Sequence, residues 1–443
     1  MRIHLINLGC ARNQVDGEIM RARLRRAGHQ LIEEPAQAEA IVVNTCCFIE
    51  AAADESIDTI LAAAQYKQEA CCRRLIVTGC LPERYREKAA EVLPEVDLFL
   101  GTGAYDQIVR ALSGDPALAP RCLLPDPDRI LPQDADTPRD LTPGSSAYLK
   151  IAEGCDRHCT FCIIPRLRGR QKSRPLEAIL GEARHLVAAG IQELVLVAQE
   201  TTRYGADLDP PQSLSRLLEA LSDLAPERWI RFLYGHPGSL SPDVLRTVAG
   251  RPNLCPYFDI PIQHISDRIL KRMGRDYTAR DVKRIVRMVR DQLPHAALRT
   301  TVIVGFPGET DADFSQLLDF VAEAEFDHLG AFMYSDADDL AAHRLQAHVA
   351  TAVARKRLER LMHQQRVLSD RRLARYMDQV LPVLVESSPE TGVYLGRTVF
   401  QAPEVDGLTY VRVSAHALPP AVGQFARVRI TDTLEYDLVG EPA

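Results

Sequence analysis

The sequence predicts an α/β protein with an N-terminal parallel α/β domain, a central open, partial β/α barrel and a small, OB-like C-terminal β-barrel. Strand-like and helix-like segments alternate over residues 1–375, and five short strand-like runs follow in residues 376–443. Such alternation is typical of parallel sheets, and short strands between glycine or proline turns are typical of small barrels. The expected domains are residues 1–133, 141–375 and 376–443, with a linker rich in proline, aspartate and glycine at 113–146.

In the N-terminal domain a cysteine follows each of three strand-like runs, and these are Cys10, Cys46 and Cys80. Because the carboxyl ends of parallel strands share one edge of a sheet, we expect the three thiols to converge. The pattern indicates a three-cysteine iron–sulfur site, and buried cysteines acting as small apolar residues are the alternative. The remaining cysteines share no such position and are interpreted as structural: Cys47, Cys71, Cys72, Cys122 and Cys255.

The central domain opens with a loop that carries Cys155, Cys159 and Cys162 in C-x3-C-x2-C spacing, directly after a strand-like run at 147–152. Three thiolates on a [4Fe–4S] cluster leave one iron open, and an open iron can hold a substrate. A structural zinc site would need a fourth ligand, and no second cysteine or histidine pair follows nearby. The loop therefore favours a cluster, with a zinc knuckle or unrelated thiols as the alternatives.

Six strand-like runs separated by helices predict the partial barrel, and they are 148–152, 193–198, 229–234, 257–262, 298–304 and 328–333. Barrels of this kind place their chemistry at the carboxyl ends of the strands. Gln199 and Glu200 follow the second strand, His236 the third and Gly305 the fifth. Glycine there lets the backbone approach a ligand closely. For His236 a capping or surface role is as plausible as a ligand role.

The composition narrows the class of protein. Hydrophobic residues make up 46% and charged residues 26% of the chain, and no apolar run is long enough for a membrane span. The N-terminus lacks signal-peptide features, and eleven cysteines without secretion indicate metal or redox thiols in a reducing cytoplasm. The net charge of −7 argues against a general nucleic-acid binder.

These residues resemble the methylthiotransferase family of radical S-adenosylmethionine (SAM) enzymes over nearly the whole chain. The cysteine loop, with Phe161 just before its last cysteine, resembles the radical SAM signature. The residues after 375 resemble the TRAM domain of that family. Further strings that carry the resemblance are 7–10 (NLGC), 43–46 (VNTC), 78–80 (TGC), 257–264 (YFDIPIQH) and 304–310 (VGFPGET).

The resemblance implies two [4Fe–4S] clusters, one on Cys155, Cys159 and Cys162 and one on the N-terminal three cysteines. It implies that SAM is both the radical source and the methyl donor, bound through its amino and carboxylate groups at the open iron. Phe161 would lie near the adenine, and Gln199, Glu200 and Gly305 would be further contacts. No catalytic residue is implied beyond the cluster ligands. A low-potential electron donor such as flavodoxin or ferredoxin is an expected partner.

Within the family the sequence resembles the branch that acts on a ribosomal protein, through the strings 159–165 (CTFCIIP), 198–202 (AQETT), 401–407 (QAPEVDG) and 436–440 (YDLVG). That branch methylthiolates the β-carbon of an aspartate in the twelfth small-subunit protein, free or within the ribosome. The alternatives are the tRNA branch, which modifies an adenosine beside the anticodon, and a non-catalytic Fe–S protein that binds ribosomes.

The charge of the C-terminal barrel distinguishes a ribosomal-protein substrate from a tRNA substrate. Residues 376–443 hold nine acidic and four basic residues, a net charge of −5. A barrel that binds RNA should be positive, because contacts with phosphate dominate affinity. An acidic barrel is complementary to a basic ribosomal protein, so we expect RNA contact to be secondary.

Two positions depart from the family pattern. After the sixth strand the sequence reads Asp336-Ala337-Asp338-Asp339, where the family usually has Glu-x-Gly-Thr. Cys47 stands where glycine is common in the family. We expect the first departure to change the details of that loop and to leave the chemistry intact.

Overall fold

The computed structural model describes residues 1–113, 121–129, 137–414 and 418–443. Their fold is the expected one, an N-terminal α/β domain, a central partial barrel and a closed C-terminal barrel. Within these ranges no helix combines the length and the apolar character needed to cross a membrane. The predicted fold class is therefore confirmed.

The N-terminal domain is a six-stranded parallel sheet in the order β2-β1-β3-β4-β5-β6. Its strands are β1 Arg2–Asn7, β2 Gln30–Leu31, β3 Ala40–Thr45, β4 Arg74–Gly79, β5 Leu98–Leu100 and β6 Cys122–Leu123. Its helices are α1 Ala11–Arg26, α2 Glu50–Glu69, α3 Cys80–Tyr85, α4 Glu87–Val92 and α5 Ile108–Ser113. Every residue of β3 is buried, as expected for a strand covered on both faces.

The predicted linker at 113–146 lies partly outside the described residues. Within its described part, β6 pairs with β5 and adds the sixth strand to the N-terminal sheet. This part of the linker prediction is wrong, because Cys122 and Leu123 complete a sheet edge despite the prolines and aspartates around them. The domain boundary predicted between residues 133 and 141 also falls partly outside the described ranges.

The central domain contains two three-stranded parallel sheets, β11-β10-β7 and β12-β13-β14, and a short antiparallel pair, β8-β9. The strands are β7 Ser146–Lys150, β8 Ala152–Glu153, β9 Lys172–Ser173, β10 Glu193–Val197, β11 Trp229–Phe232, β12 Tyr257–Asp259, β13 Ala297–Val304 and β14 His328–Met333. The helices are α6 Ile164–Arg168, α7 Leu176–Ala188, α8 Leu214–Leu224, α9 Pro242–Ala249, α10 Asp267–Arg272, α11 Ala279–Gln292, α12 Asp311–Ala324 and α13 Thr351–Leu373.

The fourth barrel strand is shorter than predicted. It was expected over 257–262 and ends at Asp259, between Pro256 and Pro261. Proline has no N–H to donate to a neighbouring strand, so the regular ladder stops there. Ile230 of β11 forms an isolated bridge with Leu254, before β12, and the Gly235 N–H beyond β11 donates to the Asp259 carbonyl at 2.8 Å. The barrel therefore remains one arc with an interruption between β11 and β12.

The C-terminal domain is a closed five-stranded barrel in the order β15-β16-β17-β19-β18. Its strands are β15 Val380–Glu390, β16 Val393–Arg397, β17 Thr409–Arg412, β18 Phe425–Thr433 and β19 Leu438–Pro442. The last strand begins at Leu438. The side chain of Asp437, the residue before it, accepts a hydrogen bond from the Leu408 backbone N–H at 2.7 Å, which holds Asp437 in the preceding turn.

The inner face of the central barrel packs against both other domains. Val195 and Trp229 point to this face, where α1 contributes Val15 and the C-terminal barrel contributes Leu384. The rings of Trp229 and Phe425 lie 4.7 Å apart between centroids. One apolar cluster therefore fixes the three domains relative to each other.

A buried carboxylate strengthens the contact between the two barrels. Glu193, fully buried, accepts a hydrogen bond from Arg231 at 2.8 Å and one from Arg397 of the C-terminal barrel at 2.6 Å. Burial alone would raise the pKa of Glu193, but the charges of Arg397 and Arg231 lower it to about 2. The carboxylate therefore stays ionised at all pH values at which proteins are usually handled.

We expect Glu193→Gln to destabilise the protein by about 3 kcal/mol at pH 7, the free energy that corresponds to this pKa shift. Because the folded-state pKa is depressed, the stabilisation is complete above the unfolded pKa of about 4.3 and is lost as the pH falls towards 2. Thermal unfolding of both proteins at pH 7 and pH 3 measures the difference. The exposed Glu390→Gln is the control. An equal difference at the two pH values would contradict the assignment.

Candidate active site

The cysteine loop lies at the carboxyl end of the first barrel strand, as predicted. Gly154, just before Cys155, has a φ of +81°, and a Cβ there would lie 2.0 Å from the Arg170 carbonyl oxygen. The Cys155 N–H donates to the Gly169 carbonyl at 3.0 Å. Only glycine can occupy this position, because the returning chain passes directly over it.

The far end of the loop is anchored by Thr160, which lies between the second and third cysteines. Its N–H donates to the Met273 carbonyl at 3.0 Å and its hydroxyl donates to the Arg272 carbonyl at 2.9 Å. Its own carbonyl accepts from the Ala342 N–H at 2.8 Å. Contacts from two further barrel loops therefore fix the spacing of the cysteines.

Two of these thiols have raised pKa values because they are buried. Desolvation raises the pKa of Cys155, and it raises the pKa of Cys162 to about 12. The sulfur of Cys159 accepts a hydrogen bond from the Arg275 guanidinium at 3.1 Å, and that of Cys155 accepts one from the Arg157 backbone N–H at 3.4 Å. A thiol of this kind becomes a ligand when a metal replaces its proton.

The three N-terminal cysteines converge as the strand register requires. Asn7 of β1 pairs with Asn44 of β3, and Asn44 pairs with Thr78 of β4. The strand ends are therefore level. Cys10 precedes α1, Cys46 follows β3 and Cys80 begins α3.

Close contacts confirm that these residues lie together. A Cβ on Gly9 would lie 3.2 Å from the Cys46 sulfur, and Gly9 has a φ of +93°. The Asn13 side chain donates to the Thr45 carbonyl at 2.8 Å, and its oxygen lies 3.9 Å from the Cys80 sulfur. The side chain of Asn13 thus spans from the residue before Cys46 to Cys80.

The N-terminal thiols differ in acidity. Burial would raise the pKa of Cys10, but the charges of Arg12 and Arg168 lower it below its ordinary value. Burial raises the pKa of Cys80 to about 12, with Arg168 opposing the effect. Cys10 is therefore the thiol of this set that ionises most readily.

A buried polar network that the sequence did not reveal joins the two cysteine sets. Lys150 donates to Asp16 of α1 at 2.6 Å and to Glu153, at the start of the cysteine loop, at 2.8 Å. Arg168, at the exit of that loop, donates to Asp16 at 2.7 Å. Asp16, Lys150 and Arg168 are each 3% exposed, so these ion pairs are shielded from solvent.

Arg168 extends this network to the N-terminal cysteines. It donates to the Asn13 side-chain oxygen at 2.6 Å and to the Cys80 sulfur at 3.7 Å. Nothing in the local sequence around Arg168 predicts this role. One network between the domains therefore contacts Cys80 of the N-terminal set and Glu153, at the start of the loop that carries the second set.

Phe161 and Gly305, two of the predicted SAM contacts, lie in adjoining loops. The ring of Phe161 packs edge-to-face on Phe306, the residue after Gly305, with centroids 6.4 Å apart. Gly305 has a φ of +74°, and a Cβ there would lie 2.5 Å from the Ala354 Cβ of α13. Glycine is therefore required at position 305 because the backbone passes close to helix α13 of the same chain, whereas the sequence predicted a close approach to a ligand.

Gln199 and Glu200 lie at the end of β10 and both contact the cysteine loop. Gln199 donates to Glu153 at 2.5 Å, and its buried side-chain oxygen has no hydrogen-bond partner among the described residues. Both Glu200 oxygens accept from the Arg157 guanidinium at 2.7 Å, and Ser239 donates to one of them at 2.5 Å. The side-chain oxygen of Gln199 is therefore free to accept a hydrogen bond from a ligand, whereas both Glu200 oxygens are already bonded to the cysteine loop through Arg157.

His236 is buried beside this loop. Its Nδ1 accepts from the Gly238 N–H at 3.1 Å, and burial together with the charges of Arg275 and Arg157 lowers its pKa to about 2. A surface role for His236 is therefore wrong, and the side chain instead accepts a backbone N–H, as a capping residue does. The imidazole is neutral at physiological pH.

The loop that departs from the family pattern packs on the N-terminal domain. Asp339 accepts two hydrogen bonds from Arg84, at 2.6 and 3.0 Å, and Arg84 also donates to the Cys47 carbonyl at 2.6 Å. The residue next to Cys46 is therefore tied, through Arg84, to the loop that follows the sixth barrel strand.

The donor set fits a cluster better than a single ion. A tetrahedral structural zinc needs four protein ligands at about 2.0–2.3 Å, one more than a set of three cysteines supplies. Each set offers three thiols, which are the ligands of iron–sulfur clusters. The zinc alternative is therefore disfavoured.

Three family models match the chain, each over one part of the fold. They are an uncharacterized protein family, UPF0004, over residues 2–101, the radical SAM superfamily over 149–321 and the TRAM domain over 379–442. The fold and these matches define the chain as a radical SAM enzyme with a TRAM barrel.

Relatives with curated names indicate the family more specifically than the domain models do. Proteins named ribosomal protein uS12 methylthiotransferase RimO are 54% identical in Desulfosudis oleivorans, over all of both chains, and 44% identical in Geobacter sulfurreducens, over 99% of this chain and 98% of that protein. The chain belongs to the uS12 methylthiotransferase family.

Solved structures share the fold at low sequence identity. The radical SAM methyltransferase TsrM from Kitasatospora setae aligns with a TM-score of 0.58 at 14% identity, over 83% of this chain and 89% of that chain. The cobalamin-dependent SAM radical enzyme OxsB aligns with a TM-score of 0.52 at 15% identity, over 82% of this chain and 56% of that chain.

Proposed function

We propose that this enzyme transfers a methylthio group to the β-carbon of an aspartate in ribosomal protein uS12, with SAM as radical source and methyl donor. The observation that carries this proposal is the pair of three-cysteine sets on one buried network, because insertion of a sulfur group needs a sulfur site next to the radical site. A radical methyltransferase without sulfur transfer would not need the N-terminal cysteines.

We infer that Cys155, Cys159 and Cys162 hold one [4Fe–4S] cluster and that Cys10, Cys46 and Cys80 hold another. When bound, these clusters supply electrons and an open iron for SAM, while the protein orients the reactants. Phe161 offers an aromatic face for the adenine, and the free oxygen of Gln199 offers a hydrogen-bond acceptor. Gly305 contributes backbone beside that ring.

The chain itself would hold the substrate carbon between the two sets. Glu200 keeps the cysteine loop in place through Arg157, and the network around Asp16 keeps the two loops at a fixed separation. No side chain has to act as an acid or base, because the hydrogen is removed from an unactivated carbon as an atom rather than as a proton.

The charge of the C-terminal barrel supports a protein substrate. Its net charge of −5 opposes binding to RNA phosphates and is complementary to a basic ribosomal protein. We propose that uS12 binds through this barrel, free or in the ribosome, in the cytoplasm. A flavodoxin or ferredoxin would supply electrons.

A competition experiment tests the substrate. Anaerobically reconstituted enzyme, SAM and reductant are mixed with equal amounts of uS12 and an anticodon stem-loop RNA, and the products are weighed by mass spectrometry. We expect a methylthio mass gain on one aspartate of uS12 and unmodified RNA. A gain on RNA alone would overturn the substrate proposal and favour the tRNA alternative.

Metal analysis separates the enzyme from a non-catalytic binding protein. Two cubane clusters give about eight irons per chain, and we expect that content together with deoxyadenosine release. Zinc in place of iron would contradict the cluster assignment.

A further inference from the structure

One guanidinium beside the radical SAM cysteines has no acidic partner among the residues that the structure describes. Arg275 donates to the Cys159 sulfur at 3.1 Å, to the Pro261 carbonyl at 3.0 Å and to the Tyr277 hydroxyl at 2.6 Å. Across the described ranges no carboxylate forms an ion pair with it, and the carboxylate of neighbouring Asp276 pairs with Arg157 instead.

The arginine is held in this position by several contacts. Its guanidinium lies over the Tyr277 ring, 5.0 Å from the centroid, and the Tyr277 hydroxyl donates onward to the Ile262 carbonyl at 2.9 Å. The Pro261 carbonyl accepts a hydrogen bond from one terminal nitrogen of the guanidinium and so fixes its orientation. Because a largely buried cation needs a nearby negative charge, the arrangement predicts an anionic group at Cys159.

We propose that Arg275 is a positioning residue that raises the reduction potential of the cluster held by Cys155, Cys159 and Cys162. This inference rests on the proposed function, since it needs a cluster at that site. Reduction adds one negative charge to the cluster, and a fixed positive charge with an N–H to sulfur contact stabilises the reduced form more than the oxidised form. Hydrogen bonds to cluster sulfurs and nearby charge are established determinants of cluster potential.

The experiment isolates one cluster. In a background with Cys10, Cys46 and Cys80 replaced by alanine, the remaining cluster is titrated with dithionite in the absence of SAM and followed by electron paramagnetic resonance. We expect Arg275→Gln to shift the midpoint to a more negative potential. Arg275→Lys keeps the positive charge but not the planar guanidinium. Its midpoint should lie between those of the wild type and Arg275→Gln.

Lys271→Gln is the matched control, because it removes an exposed positive charge from the last turn of α10, close in sequence to Arg275. We expect no shift for it. Iron content and thermal unfolding of each variant show whether the protein and its cluster are intact. If Arg275→Gln loses the cluster, Arg275→Met, which also removes the charge and keeps a long side chain, takes its place, and an unchanged midpoint in that variant overturns the proposal.

Two other outcomes separate a failure of this inference from a failure of the proposed function. An unchanged potential in Arg275→Gln, with a raised KM for SAM in the complete enzyme, would overturn the proposal and assign Arg275 to SAM binding, and the proposed function would stand. If the chain with native Cys155, Cys159 and Cys162 holds no cluster, the proposed function and this inference both fail.

Discussion

Replacing Cys155 by alanine is expected to reduce deoxyadenosine formation from SAM to background and to leave about four irons per chain, those of the N-terminal cluster. The physical reason is that two thiolates cannot hold a cubane in a loop whose spacing is fixed by Gly154 and Thr160. Deoxyadenosine is measured by chromatography under anaerobic single-turnover conditions.

The control for this variant is Cys71→Ala, which removes an exposed thiol that has no place in either set. It should retain full SAM cleavage and about eight irons. Wild-type levels of deoxyadenosine in Cys155→Ala would contradict the assignment of the radical site.

Replacing Cys46 by alanine should have the opposite pattern. We expect deoxyadenosine release to continue and methylthiolated uS12 to fall to background, because the radical cysteines belong to a different domain from the lost ligand. Product masses and deoxyadenosine are measured in the same reaction.

Cys47→Ala is the neighbouring control, since Cys47 is also buried but lies in the apolar core of the N-terminal domain. It should form the methylthio product. If Cys46→Ala formed that product too, the sulfur-donating role of the N-terminal set would be wrong.

The sequence was sufficient to place the six cysteines, because each position follows from local rules. A cysteine directly after a parallel strand lies at the carboxyl edge of the sheet, and three cysteines within eight residues must share a loop. The fold class could be predicted for the same reason, since it depends on alternation along the chain. The ligand roles themselves stay predictions until the variants are measured.

The contacts between domains could not be predicted. Asp16 and Lys150 are ordinary members of a helix and a strand in the sequence, and they become an ion pair only when α1 packs against the barrel. The same holds for Arg275, which reaches Cys159 from a loop more than 100 residues later. Long-range pairing of charges depends on tertiary packing, which has no signal in a short window of sequence.

The ion pair between Glu193 and Arg397 has a consequence for how such chains diversify. Because the C-terminal barrel covers Trp229 and neutralises a buried carboxylate of the central barrel, it is not a detachable recognition module. A shortened chain that ends near residue 375 would expose an apolar surface and leave Glu193 with only Arg231 as its cationic partner. A recombined chain with a foreign barrel would fold well only if that barrel brought an equivalent cation and aromatic ring. The outer surface of the barrel can therefore vary while its docking face stays constrained.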